Sequence, residues 1–84
     1  MDQTIATIRD FIITRYLPGE SPENLGEDTA LRSGGILDSL STLSLVSFIE
    51  KQYGIEVEAH ETDIDNFDTL RDIAAFIERK QAAR

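Results

Sequence analysis

Apolar residues recur at helical spacing in three segments of this chain, and only the short stretch 55–57 shows the alternation of a strand. The first segment runs from Thr4 to Leu17, the second from about Ser39 to Tyr53, and the third begins at Thr69. Because each segment is apolar on one face, the three can bury those faces only against one another. The pattern predicts an all-α fold, a small helical bundle that forms a single domain over residues 1–84.

A long polar connection separates the first two helices. Pro18 and Gly19 end the first helix, whose apolar stripe consists of Ile5, Ile8, Ile12 and Tyr16, with Phe11 beside it. The connection then continues to Leu37. A loop of this length in so small a domain is either functional or held by side chains that enter the core. The residues able to hold it are Leu25, Leu31, Ile36 and Leu37.

The second helix is expected to end at Gly54, a residue type that favours helix C-termini. At about 100° per residue its apolar arc comprises Leu40, Leu43, Leu45, Val46, Ile49 and Tyr53. The opposite strip comprises Ser41, Ser44, Phe48 and Lys51. Phe48 interrupts this polar strip and has two interpretations. It is either a half-buried ring covered by the long connection or an exposed contact for a partner.

The segment between the second and last helices is acidic. Residues 55–68 carry six carboxylates and no Lys or Arg, and a short helix is expected around Glu61 to Asp65. The last helix begins at Thr69, where Thr69 and Asp72 have the spacing of a capping box. Its buried stripe is predicted to be Leu70, Ile73, Ala74 and Ile77, with Phe76 alongside.

One hydroxyl lies at the junction between the connection and the second helix. In Gly35-Ile36-Leu37-Asp38-Ser39-Leu40, Asp38 is the candidate N-cap and Ser39 the first helical residue. A phosphoester on Ser39 would be stabilised by the free backbone N–H groups and the positive end of the helix dipole. The simpler alternative is that Asp38 and Ser39 only begin a helix.

Composition limits the function of such a serine. Sixteen acidic against eight basic residues give a net charge of −8, which argues against nucleic-acid binding and favours basic partner surfaces. The chain has neither a secretory signal nor an apolar run of membrane-spanning length, so a cytoplasmic location without membrane attachment is expected. Cysteine is absent, and any thiol chemistry would therefore need an imported thiol.

Two catalytic or metal-binding interpretations are weak. A Ser-His-acid hydrolase would need His60, the only histidine, to meet Ser39 from a different predicted element. A lone histidine in an acidic loop is more often a solvated surface residue. The acidic residues from Glu61 to Asp68 lack the glycine and final glutamate of a calcium-binding loop, so no dedicated metal site is expected.

The order of these features resembles the acyl carrier protein family over nearly the whole chain. The matching elements are Gly-x-Leu-Asp-Ser-Leu at residues 35–40, Gly54-Ile55 and Phe67-x-x-Leu70. The resemblance implies that a magnesium-dependent transferase attaches 4'-phosphopantetheine from coenzyme A to Ser39, with Asp38 as part of the motif. It further implies a monomeric, non-catalytic carrier whose acyl or aminoacyl thioesters are handled by separate loading, elongating and tailoring enzymes.

The second helix departs from the pattern of fatty-acid carriers, which present acidic residues after the motif serine. Here the outward positions are hydroxyl-bearing or basic, and the predicted partner face comprises Leu40, Ser41, Ser44, Phe48 and Lys51. This departure favours a specialised pathway, such as polyketide or nonribosomal peptide synthesis, over housekeeping fatty-acid synthesis. The alternative function is an unmodified helical adaptor with the same fold.

Overall fold

A computed structural model describes residues 2–83, which contain four α-helices and no strand. The helices are α1 (Asp2–Tyr16), α2 (Ser39–Tyr53), α3 (Ile64–Phe67) and α4 (Leu70–Ala82), with 3-10 turns at Pro22–Asn24 and Ala59–Glu61. The molecule measures 36 × 25 × 20 Å. The predicted all-α bundle of three main helices and one short helix is confirmed. Within the described residues, no helix is long and apolar enough to cross a membrane.

The core is formed by the faces that helical periodicity predicts for α1 and α4. Ile5, Ile8 and Ile12 of α1 are buried. They meet the buried stripe of α4, which consists of Leu70, Ile73, Ala74, Phe76 and Ile77. Leu25, Leu31 and Leu37 of the long connection are buried in the same core, and Ile36 packs against it. The connection is therefore held by the side chains expected to hold it.

The buried face of α2 is narrower than the predicted arc. Leu45, Val46 and Ile49 are buried as expected, but Leu40 and Leu43 are 77% and 58% exposed, so their assignment to the core is wrong. Thr42 is buried in their place. Its hydroxyl donates to the Asp38 carbonyl oxygen at 2.7 Å, which satisfies the polar group and allows its burial.

The predicted capping residues Thr69 and Gly54 lie at helix ends in the structure. Thr69 precedes α4 and its hydroxyl accepts from the Asp72 amide at 3.0 Å. Gly54 ends α2 in the left-handed conformation, with φ 65°. The short helix is displaced from its expected position around Glu61 to Asp65, because Asp63 caps α3 by accepting from the Asn66 amide at 3.2 Å.

Candidate functional site

Ser39 is the exposed first residue of α2, and Asp38 caps the helix as predicted. Asp38 has extended backbone geometry, and its Oδ1 accepts from the Ser41 amide at 2.8 Å. This backbone hydrogen bond from Ser41 lowers the pKa of the Asp38 carboxyl. The remaining first-turn N–H groups and the helix dipole leave the Ser39 hydroxyl in a position suited to an attached anionic phosphoester.

Two glycines shape the approach to this helix. A Cβ atom at Gly34 would lie 2.3 Å from the carbonyl oxygen of Ala30, closer than side chains tolerate. Gly35 has a φ of +82°, which L side chains rarely adopt. After this turn, the Leu37 side chain is buried and its amide donates to the Leu31 carbonyl at 2.9 Å. The chain thus enters α2 along a fixed path.

Hydrogen bonds from the α3–α4 junction hold the connection. The Asp68 Oδ1 accepts from the amides of Arg32 and Ser33 at 3.0 and 2.8 Å, and its Oδ2 accepts from the Ser33 hydroxyl at 2.8 Å. The Asp68 carbonyl accepts from the Leu31 amide at 2.6 Å. These bonds from Ser33, first its amide and then its hydroxyl, lower the pKa of Asp68.

Two arginines add further links to the connection. The Arg32 guanidinium donates to the Thr62 carbonyl, and Arg71 at the start of α4 forms paired hydrogen bonds with the Asp28 carboxylate at 2.9 and 3.1 Å. The Arg71 amide donates to the Glu27 carbonyl at 3.1 Å. The residues that precede Ser39 are consequently fixed by groups that lie about thirty or more positions later in the chain.

Exposed apolar side chains lie next to Ser39 in the sequence. Leu40 is the following residue and Leu43 lies one helical turn after Ser39. Ile64, the first residue of α3, is a third large exposed aliphatic side chain, 50% accessible. Leu43 and Ile64 were not among the predicted partner-binding residues. The signal that could have identified Leu43 was its i+4 spacing from Ser39.

The structure separates the predicted partner face into two parts. Leu40, Ser44 and Lys51 are exposed, whereas Ser41 and Phe48 are half-buried towards α1. The Tyr16 hydroxyl approaches the Ser41 carbonyl at 3.5 Å. The ring that stacks on Phe48 belongs to Phe11 of α1, with centroids 4.3 Å apart. His60 lies in the exposed 3-10 turn, in a different element from Ser39.

Comparison with known proteins identifies the family. The family described as "Phosphopantetheine attachment site" matches residues 16–77, which include α2, α3 and most of α4. The chain belongs to the phosphopantetheine carrier protein family. Its cofactor is accordingly 4'-phosphopantetheine, as the resemblance implied.

Two similar proteins extend this comparison. This chain is 32% identical over 65 residues to the D-alanyl carrier protein of Lacticaseibacillus casei (strain BL23). The aligned region covers 77% of this chain and 80% of the relative. The carrier protein also matches a chain in a solved structure described as "Crystal structure of FAD-dependent dehydrogenase". That match has a TM-score of 0.74 and 36% identity, and it covers 83% of this chain and 97% of that chain.

Proposed function

We propose that Ser39 is the residue that carries the 4'-phosphopantetheine group and that the protein acts as a non-catalytic carrier. The observation that carries this proposal is the exposed hydroxyl at the first position of α2, directly after the Asp38 cap. This position lies within the family match. The Ser39 oxygen forms the new bond to phosphorus, the phosphoanhydride bond of coenzyme A breaks with release of adenosine 3',5'-bisphosphate, and the serine proton is released.

The chain's own residues have limited tasks in this function. Asp38 holds the first turn of α2 through Ser41, and the exposed position of Ser39 leaves room for a transferase and an extended arm. When attached, the group supplies the thiol on which acyl or aminoacyl thioesters are carried. The sequence, which contains no cysteine, supplies no thiol of its own.

Intact-mass spectrometry tests the proposal. The wild-type protein, incubated with coenzyme A, magnesium and a broad-specificity phosphopantetheinyl transferase, should gain the mass of one phosphopantetheine group. Ser39→Ala should gain none, whereas Ser47→Ala, which removes another exposed hydroxyl of α2, should be modified normally. Modification of Ser39→Ala would disprove the site. An unmodified wild-type chain, with a known carrier labelled in parallel, would instead support the adaptor function.

We propose an amino acid as the cargo, in a specialised pathway rather than in housekeeping fatty-acid synthesis. The similarity to a D-alanyl carrier protein supports this cargo, as does the low acidity of α2, whose outward residues include Ser44, Ser47 and Lys51. The phosphopantetheine-bearing protein should accept D-alanine or another amino acid from an ATP-dependent enzyme that loads D-alanyl carrier proteins. If a panel of acyl- and aminoacyl-transferring enzymes loads only acyl groups on the protein, the proposed amino-acid cargo is contradicted.

We further propose a flavin-dependent dehydrogenase as one tailoring partner. The solved chain that matches is covered over 97% of its length by part of this 84-residue chain, so it has the size of a carrier domain. Its structure nevertheless bears the name of an FAD-dependent dehydrogenase. Aminoacyl-loaded protein should bleach the absorbance of that flavoenzyme as two electrons and two protons pass from the cargo to FAD, which forms FADH2 and leaves a new double bond in the cargo. Each amino acid should be loaded in turn on this protein and on the matching chain of that structure. If the flavin is bleached with the loaded matching chain but never with this protein, the partnership is excluded.

The partner surface that we propose for these enzymes comprises Leu40, Leu43 and Ile64. All three are large, exposed and apolar, which is the composition of interface anchors rather than of ordinary surface. Ser44 and Lys51 lie on the same exposed side of α2 and provide polar contacts at its edge. Since few carboxylates occur on α2, apolar contact should contribute more to recognition than complementary charge.

A further inference from the structure

A second surface lies between α1 and α2, centred on the stacked rings of Phe11 and Phe48. The ring planes are inclined by only 21°, and both rings are half-buried against the core, so part of each remains accessible. Two depressions of about 480 and 310 Å³ border the ring pair. Both depressions are lined by Phe11, Phe48 and Arg15. We call this region the aromatic groove.

The charge of the aromatic groove differs from that of the whole protein. The Arg15 guanidinium carbon lies 5.2 Å from the centre of the Phe11 ring, and Lys51 lines the smaller depression. Both side chains belong to exposed residues. Asp10 is the acidic residue among those that line the two depressions. A protein of net charge −8 therefore presents two cations beside two aromatic rings at this groove.

The aromatic groove is separate from the surface around Ser39. Phe48 lies nine residues after Ser39, which in an α-helix corresponds to about 13 Å along the axis and the opposite side of the helix. Ser44 and Lys51 border both surfaces, but a protein that contacts Leu40 and Leu43 need not cover the stacked rings of Phe11 and Phe48. The ring pair can therefore contact a partner that does not touch Ser39 itself.

We propose that the aromatic groove is a docking site for an acidic partner segment that carries an apolar side chain beside its carboxylates. The apolar side chain would rest on the Phe11 and Phe48 rings, and the carboxylates would meet Arg15 and Lys51. Aromatic and arginine residues are enriched at the centres of protein interfaces, and complementary charge selects the partner. The serine, threonine and glutamine side chains that complete the lining suit the polar rim of such an interface.

Titration of the isotope-labelled full chain with designed peptides tests this proposal without requiring modification of Ser39. One ten-residue peptide has Leu and Phe on one helical face and Glu elsewhere, and its control has Lys at every Glu position. The acidic peptide should shift the NMR signals of residues 3–15 and 44–51, and added salt should weaken the effect. Equal shifts with the basic peptide, or shifts confined to Leu40, Leu43 and Ile64, would overturn the proposal.

Matched variants separate local recognition from total charge. Arg15→Gln should weaken binding of the acidic peptide about fivefold, as expected for the loss of one rim charge. Gln81→Glu makes the same change in net charge at an exposed residue of α4 and should have little effect. Equal weakening by both would show that the groove is not the site. Concentration-dependent shifts at the groove without peptide would show that a second copy of the chain occupies it, and would also overturn the proposal.

Discussion

The carboxylate of Asp68 accepts hydrogen bonds from both the amide and the hydroxyl of Ser33, 35 positions earlier in the chain. With the Arg32 amide as a third donor, this carboxylate fixes the connection just before it turns towards Ser39. The site is therefore held in place by a residue at the junction between α3 and α4. Its geometry should depend on the α3–α4 region as much as on its own motif.

Asp68→Asn should lower the free energy of unfolding by about 1–2 kcal/mol, because the amide cannot accept all three hydrogen bonds with the same strength. Chemical denaturation monitored by circular dichroism measures this loss. Asp65→Asn is the matched control, since Asp65 is an exposed residue of α3 and its replacement makes the same change in charge. Equal losses in the two variants would argue against a specific role for the Asp68 hydrogen bonds.

Acid should destabilise the fold through four carboxylates whose pKa values are lowered. Ser33 lowers the pKa of Asp68, Ser41 that of Asp38, the Glu58 amide and then Lys80 that of Glu61, and Arg71 that of Asp28. Because each folded-state pKa lies below the unfolded value of 3.8 for Asp or 4.5 for Glu, the unfolded chain binds these protons first as the pH falls. The stabilisation is complete above those values and is lost as the pH falls through the folded-state pKa values.

Thermal melts from about pH 6 to about pH 3 should therefore show a falling Tm. The fall should be smaller for Asp68→Asn than for the wild type, since the variant has no carboxyl at that position. A Tm that stays constant over this range would contradict the contribution of these hydrogen bonds.

Phe48→Ala should destabilise the fold by about 2 kcal/mol, since its ring is half-buried and stacked on Phe11. If Phe48 were a fully exposed partner contact, the expected loss of stability would be less than about 1.5 kcal/mol. The double mutant with Phe11→Ala should reveal a coupling of about 0.5–1.5 kcal/mol for the ring pair. Strictly additive losses would mean that the stack contributes nothing beyond the burial of each ring.

Leu43→Glu should slow modification or aminoacyl loading while changing stability by no more than about 0.5 kcal/mol, because Leu43 is exposed. Leu45→Ala provides the contrast. Leu45 is fully buried two positions further along α2, and its truncation should cost about 2–5 kcal/mol. Measured loading rates and denaturation midpoints distinguish the two. A large loss of stability in Leu43→Glu would indicate that Leu43 is buried in the core.

Periodicity predicted the buried faces of α1 and α4 because each has one continuous apolar stripe. In α2 it could not exclude Leu40 and Leu43, since apolar residues cover too much of the helix circumference and only packing decides which of them are buried. The burial of Thr42 was not predicted because it depends on a hydrogen bond to Asp38. Spacing within the chain also gave no sign of the contacts between Asp68 and Ser33 or between Phe48 and Phe11, which form only in the folded molecule.

The buried leucines of the connection restrict where this chain can change in length. Leu25, Leu31 and Leu37 follow one another at intervals of six residues, and each fills the core. An insertion between any two of them would displace a core side chain or lengthen the path to the Asp68 hydrogen bonds. Residues 18–24 are all exposed, so evolutionary insertions or an engineered tag should be tolerated there and rejected between residues 25 and 37.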